Sequence, residues 1–372
     1  MIYYASFTPG MQSVVEHIVR ERLADVVIQK LLDGAIIFET ECSYDKLNFF
    51  CFNNIFAVIS IVEKANPDTA IETHMNIACR AGTAPVIAEN NKKIRTFRII
   101  TSQENKLVAV DEGVKKNTER YIAKQAGFTV DRSRPDTEFW FLYRNEGFSV
   151  FMKRLTKHGS FEKTLHPGEL PPPLAYMMCY LSDPKPGDTV ADPFCGYGSI
   201  PEQRLKRFPP AHFYASDIDE KALAYSRNKI TGTLLERCHF KKADLYGVPA
   251  LLPPGGIDAI ITDPPWGMYD KQAFELGTSS VRTSSVPPNL TTDHTDHTDK
   301  EKNNGDAIGR FYADMVGIFA KVLKPGGRAV ILTAKKDELT AGVEQSAAFD
   351  ITETLPILVS GKKASVFVLR KR

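Results

Sequence analysis

Short apolar runs at residues 2–7, 35–38 and 56–62 alternate with stretches of helical period at 11–23 and 43–51, a mixture that predicts a small α+β unit over residues 1–64. A second unit is predicted over 65–158, with apolar or alternating strands at 96–101, 138–144 and 148–153. Within it residues 112–126 follow the helical period. Val114, Tyr121 and Ile122 turn inward, and Lys116, Arg120 and Lys124 fall at i, i+4 and i+8 on the opposite face. The proline and glycine density of residues 166–173 predicts a stiff hinge, so 159–173 reads as a linker and 174–372 as a third unit opened by a helix at 174–181.

In that last unit the order is strand (189–192), glycine loop, helix, strand (212–217), helix, strand (239–243) and strand (257–263). Such alternation predicts an α/β fold with a mostly parallel, Rossmann-like, doubly wound sheet. Residues 270–305 hold almost nothing apolar and read as a flexible insert. The pattern resumes with a helix at 310–323, a turn at Lys324-Pro325-Gly326-Gly327, a strand at 328–333 and two strands at 355–359 and 364–370 around the hairpin signal Ser360-Gly361-Lys362-Lys363.

A chain of 372 residues exceeds what one core usually supports, and 43% hydrophobic with 25% charged residues is an ordinary globular balance. The chain opens without a basic, then apolar, leader pattern, and no run of about 18 apolar residues occurs, so secretion and membrane insertion are not expected. Six cysteines without a C-x-x-C pair suit reduced thiols in a cytoplasm, and no metal is expected. His294 and His297 with Asp293 and Asp296 lie in a polar tract that gives no fixed ligand geometry. The net charge of +2 hides a local surplus: residues 91–163 carry 16 Lys plus Arg against 9 Asp plus Glu. Arg95, Arg98, Lys116, Arg120 and Lys124 form a candidate phosphate-facing surface, whose plain alternative is a solvated helix face.

Three elements carry chemistry. Asp192-Pro193-Phe194-Cys195-Gly196-Tyr197-Gly198-Ser199 ends a strand and starts a helix, where glycines let backbone approach a nucleotide-like ligand; a plain tight turn is the alternative. Ser199 and Glu202 have the spacing of a capping box. Asp217, followed by Ile218, ends the next strand where Rossmann-type sheets hold a ribose, and Asp244 ends the third, facing an adenine or capping a helix. Asp263-Pro264-Pro265-Trp266 ends the fourth strand. Its carboxylate and the Pro264 carbonyl can accept from an exocyclic amine while Trp266 offers a stacking face, though a proline-rich loop with a core tryptophan would read the same.

From these motifs residues 165–372 resemble the class I amino-methyltransferases, with Asp-Pro-Phe-Cys-Gly-x-Gly-Ser-Ile-Pro as cofactor loop and Asp-Pro-Pro-Trp as catalytic tetrad. The resemblance implies that Asp192, Phe194, Cys195, Gly196 and Gly198 cradle S-adenosyl-L-methionine. It also implies that Asp217 and Ile218 meet its ribose, that Asp244 meets its adenine, that Asp263 lies beside it, and that His166 and Pro167 belong to the preceding cofactor motif. Upstream, residues 128–143 and Gly147-Phe148-Ser149-Val150-Phe151 are similar to the end of a THUMP domain, an RNA-binding module. The combination resembles THUMP methyltransferases that form N2-methylguanosine in the tRNA acceptor stem, with a ferredoxin-like segment before the THUMP. A ribosomal-RNA guanine methyltransferase, a DNA amino-methyltransferase and a non-catalytic RNA-binding protein are the alternatives. Two departures stand out: Tyr197, where the family more often has a small residue, and the insert after Trp266.

Overall fold

The structure, a computed structural model, describes residues 1–47, 49–63, 67–80, 94–103, 106–156, 165–253, 255–266, 297–359 and 361–372. The chain divides into two compact units, Met1–Lys163 and Thr164–Arg372. No helix among the described residues is long and apolar enough to cross a membrane.

The first unit runs β1 (Ile2–Ser6), α1 (Gln12–Arg22), β2 (Val27–Leu32), β3 (Ala35–Glu39), β4 (Asn54–Glu63), α2 (Pro67–Arg80), β5 (Thr96–Gln103), β6 (Lys106–Leu107), α3 (Glu112–Ala126), β7 (Thr129–Val130), β8 (Thr137–Tyr143) and β9 (Phe148–Arg154). Its strands form one sheet in the order β2-β3-β1-β4-β9-β8-β5-β6, with β7 pairing β5. The sheet does not break at the expected boundary near residue 64, because β4 pairs antiparallel with β9 from Phe56↔Arg154 to Glu63↔Phe148. Strand alternation supplies two cores. Phe139, Phe141 and Tyr143 of β8 pack with Ile71 and Ile122 from α2 and α3, while Trp140 and Leu142 join Tyr4, Ile37 and Phe56.

α3 occupies the predicted range because both ends are signalled locally. The Asp111 side chain accepts from Val114 N at its start, and Gly127 takes the left-handed conformation at its end. The helix expected over 43–51 is a correction: among the described residues of that stretch only Tyr44–Lys46 turns, as a single 3₁₀ turn. Phe49 and Phe52 instead pack with Phe38, at ring separations of 6.4 and 6.2 Å, and Cys51 is buried. Tertiary burial overrides the local pattern.

The second unit runs α4 (Pro172–Leu181), β10 (Thr189–Asp192), α5 (Ser199–Arg207), β11 (His212–Asp217), α6 (Glu220–Lys229), α7 (Thr233–Glu236), β12 (Cys238–Lys242), α8 (Val248–Leu251), β13 (Ile257–Thr262), α9 (His297–Val322), β14 (Leu323–Thr333), α10 (Lys336–Ser346), β15 (Phe349–Val359) and β16 (Lys362–Lys371). The sheet order is β12-β11-β10-β13-β14-β16-β15. The first five strands are mutually parallel, and β16 lies antiparallel to both its neighbours. Strands buried on both faces need continuous apolar runs, and Ile260, Ile261 and Ala329 to Leu332 are fully buried. With the parallel strands pointing one way, the acids Asp192, Asp217 and Asp263 emerge at one edge of the sheet.

Two expectations change here. α9 starts at His297 rather than at residue 310, so the helix reaches into the polar tract, whose sequence supplies good helix formers such as Glu301 and Lys302. The rest of the expected insert, residues 270–296, lies outside the described residues, as do Gly267 and linker residues 159–164. The turn at 324–327 is absorbed into β14 as an irregularity. Ile257 pairs with Leu323 and Ala259 with Arg328, and a Cβ on Gly327 would meet the Asp258 carbonyl oxygen at 3.0 Å.

Candidate active site

The site is built at the carboxyl edge of the central strands. Asp192 ends β10 and is buried; its Oδ1 accepts from Thr262 Oγ at 2.7 Å and from Phe194 N at 3.2 Å. Oδ2 is also buried, and among the described residues nothing donates to it. Burial pushes the Asp192 carboxyl up to about 7, since water no longer stabilises its charge and the Asp217 carboxylate adds repulsion.

The glycine loop is held from below by Asp217 at the end of β11. Its Oδ2 accepts from Gly196 N at 2.7 Å and its Oδ1 from Asp219 N at 2.8 Å, and Cys195 N donates to the Ser216 carbonyl at 2.9 Å. Burial raises the Asp217 carboxyl despite these bonds. Both glycines have positive φ, +48° at Gly196 and +86° at Gly198, but they do different jobs. A Cβ on Gly196 would meet no described atom within 4 Å, so this face is open to a ligand. A Cβ on Gly198 would lie 2.2 Å from Ser226 Oγ and 2.7 Å from its Cβ, so Gly198 serves the close approach of α6.

The capping box expected of Ser199 and Glu202 is not formed. Gly198 occupies the cap position, Ser199 Oγ donates to the Leu170 carbonyl at 2.8 Å, and Glu202 accepts from Lys206 at 2.8 Å. A tertiary partner has taken the hydroxyl. Phe194 packs at a tilt near Phe311, with ring centres 5.8 Å apart. Cys195 is buried, which together with Asp192 and Asp217 raises its thiol pKa and keeps it a neutral, small loop residue.

Asp263 follows β13, half-buried, with Pro264 buried and Pro265 and Trp266 half-buried. Trp266 Nε1 donates to Asp263 Oδ1 at 2.9 Å, so the indole is turned back on the acid rather than lost in the core. Burial pushes Asp263 up to about 8, against the lowering effect of the Trp266 bond and with added repulsion from Asp192. Asp244 accepts from Gly247 N at 2.8 Å, a turn-capping role, and Ile218 is half-buried beside Asp217. His166 stacks on Tyr197 and Pro167 is exposed. Sequence reasoning missed Thr262, Glu169, Tyr225 and Lys229. The signal available for the last two was their i, i+4 spacing, one face of α6.

In the first unit Lys116, Arg120 and Lys124 are exposed along α3, and Arg95 is exposed at the start of β5. Arg98 is half-buried. It pairs with the buried Glu138, its register partner on β8, which also receives Arg154 Nη1 at 2.9 Å and Trp140 Nε1 at 3.0 Å. A guanidinium committed to a buried carboxylate is a structural tie.

Residues 161–276 match the family described as "UPF0020: RMKL-like, methyltransferase domain". A Thermus thermophilus protein named tRNA (guanine(6)-N2)-methyltransferase is 25% identical over 281 residues, 74% of this chain and 72% of its own length. The human U6 snRNA (guanine-N(2))-methyltransferase THUMPD2 is 29% identical over 161 residues, 42% of this chain, and the match spans only 30% of that protein. Among solved structures, TrmN from Thermus thermophilus superposes with a TM-score of 0.73 at 20% identity, covering 100% of this chain and 99% of its own, a likeness of fold. The matched residues hold the glycine loop, the β11 acid and the Asp263 loop.

Proposed function

We propose that the chain is an S-adenosylmethionine-dependent RNA methyltransferase that forms N2-methylguanosine in tRNA, in the acceptor stem. The observation that carries the reading is the Asp263-Pro264-Pro265-Trp266 loop at the strand edge it shares with Asp192 and the glycine loop. The name of the Thermus relative, a tRNA guanine-N2-methyltransferase, supports the substrate class. The exposed cations of α3 support an RNA partner, and we assign residues 1–64 to a ferredoxin-like segment and 65–158 to a THUMP RNA-binding domain acting in the cytoplasm.

The residues present fit the cofactor. Among the described residues nothing donates to the buried Asp192 Oδ2, and none lies within 4 Å of a Cβ at Gly196, which leaves that face open. Asp192, Phe194, Cys195, Gly196 and Asp217 would hold it, with Ile218 and Asp244 toward its nucleoside and His166 and Pro167 from the preceding segment. Bound there, S-adenosylmethionine supplies an electrophilic methyl group.

The chain's own part is positioning. The target guanine leaves its stack and lies against Trp266, and its exocyclic amine donates to Asp263 and to the Pro264 carbonyl, which aims the nitrogen lone pair. Methylation obliges that nitrogen to lose a proton, and the Asp263 carboxylate, formed once a carboxyl that burial pushes up to about 8 has ionised, is the adjacent group able to take it. Asp263→Ala tests the assignment: transfer of labelled methyl to RNA should be abolished while S-adenosylmethionine binding is largely kept. Turnover at the unaltered rate in that variant would sink it.

A further inference from the structure

Three segments of the second unit close a ring of interactions around the cofactor loop. The His166 ring stacks on Tyr197, with centroids 4.2 Å apart and planes at 6°. Tyr225 of α6 meets both edgewise, at 4.5 Å from His166 and 5.7 Å from Tyr197. One turn along α6, Lys229 Nζ lies 5.2 Å from the Tyr225 ring centre and pairs with Glu169. The Glu169 side chain is only 2% exposed. Its Oε2 accepts from His166 N at 3.0 Å, and its Oε1 lies 3.3 Å from Ser199 Oγ, at the start of α5. The path from 166 through 197, 225, 229 and 169 returns to 166.

Tyr197 is the one side chain in this ring contributed by the loop itself, between two glycines of positive φ. Glycines on both sides leave the loop backbone many conformations, and ordering it on binding would cost affinity. We propose that Tyr197 is a positioning residue: its stack between His166 and Tyr225 pre-orders the cofactor loop and thereby sets the affinity for S-adenosylmethionine. The inference rests on the cofactor reading above and adds to it a residue of the loop itself.

Titration calorimetry with S-adenosylhomocysteine tests it without any RNA. Tyr197→Ala loses two ring partners, so Kd should rise roughly tenfold, KM for S-adenosylmethionine should rise in parallel, and kcat should be largely kept. Tyr197→Phe keeps the ring and should restore Kd to within about twofold of the unaltered chain. Tyr225→Ala, at an exposed position that folding tolerates, should give a smaller rise and serves if Tyr197→Ala fails to fold. A lowered Tm with unchanged Kd in these alanine variants overturns the proposal, since the stack would then be structural only. Absence of binding to the unaltered chain overturns the cofactor reading itself, and this inference with it.

Discussion

Alanine at Gly198 should destabilise the second unit far more than alanine at Gly196, two residues away in the same loop. Both positions have positive φ, so each substitution carries the left-handed penalty of roughly 1–2 kcal/mol. At Gly196 nothing described lies within 4 Å of the added carbon, and the penalty ends there. At Gly198 the new Cβ would sit 2.2 Å from the Ser226 hydroxyl oxygen, 2.7 Å from its β-carbon and 2.9 Å from its α-carbon. The hydroxyl can rotate away, but the two carbons belong to α6 and move only with the helix. Overpacking of this kind costs about 1–3 kcal/mol, so the difference between the two variants should be about 2 kcal/mol, near thirtyfold in local opening. Hydrogen exchange of the β10 and β11 amides reports opening of this unit alone. Ser226→Gly added to Gly198→Ala should recover only part of the loss, because the helix backbone still crowds the new methyl, whereas added to Gly196→Ala it should recover nothing. Gly196→Ala should instead weaken S-adenosylhomocysteine binding with the fold intact. Equal protection in the two single variants, or no coupling to Ser226, would refute the reasoning.

Because burial pushes Asp192 up to about 7 and Asp263 up to about 8, the unfolded chain ionises these acids first as pH rises. Their contribution should therefore cost stability progressively from about pH 4 to pH 8; Asp263→Asn should flatten that dependence in thermal melts, and an unchanged profile would contradict it. If Asp263 takes the amine proton, kcat at saturating substrates should rise with pH and level off as this carboxyl ionises, with an apparent pKa of about 8. Changing Lys116, Arg120 and Lys124 together to Ala should lower the slope of log K against log salt for RNA binding by about 2 to 3, at roughly 0.7 to 0.9 per phosphate contact, and leave S-adenosylhomocysteine affinity unaltered. Glu138→Ala leaves Arg98 and Arg154 beside an emptied buried position, and urea unfolding of the first unit should show a loss of about 3–5 kcal/mol.

What was legible in the sequence is what local physics decides. The central strands of the second unit are buried on both faces, so their apolar runs announce them, and α3 carries its own start and stop in Asp111 and Gly127. The acids at the strand ends follow from the strands, which is why Asp192, Asp217 and Asp263 could be named together. Interactions between residues distant in sequence were not legible. Ser199 and Glu202 have capping-box spacing, but the Leu170 carbonyl claims the serine. Arg98 counts toward a basic surface until β5 and β8 pair in register and set Glu138 beside it. Gly198 reads as a ligand glycine until α6 packs against it. Residues 27–32 form β2 by pairing with β3, a partner that no local pattern names, whereas residues 67–80 do carry the helical period, with Ala70, Ile71 and Met75 on the face that packs against the sheet.

Incubating the purified chain with unmodified tRNA and methyl-labelled S-adenosylmethionine, then digesting the RNA and identifying the labelled nucleoside, tests the central claim most directly. The account predicts label in N2-methylguanosine. Label found only in ribosomal RNA or DNA would contradict the substrate, and no label in any nucleic acid, with S-adenosylmethionine bound, would contradict the RNA methyltransferase reading as a whole.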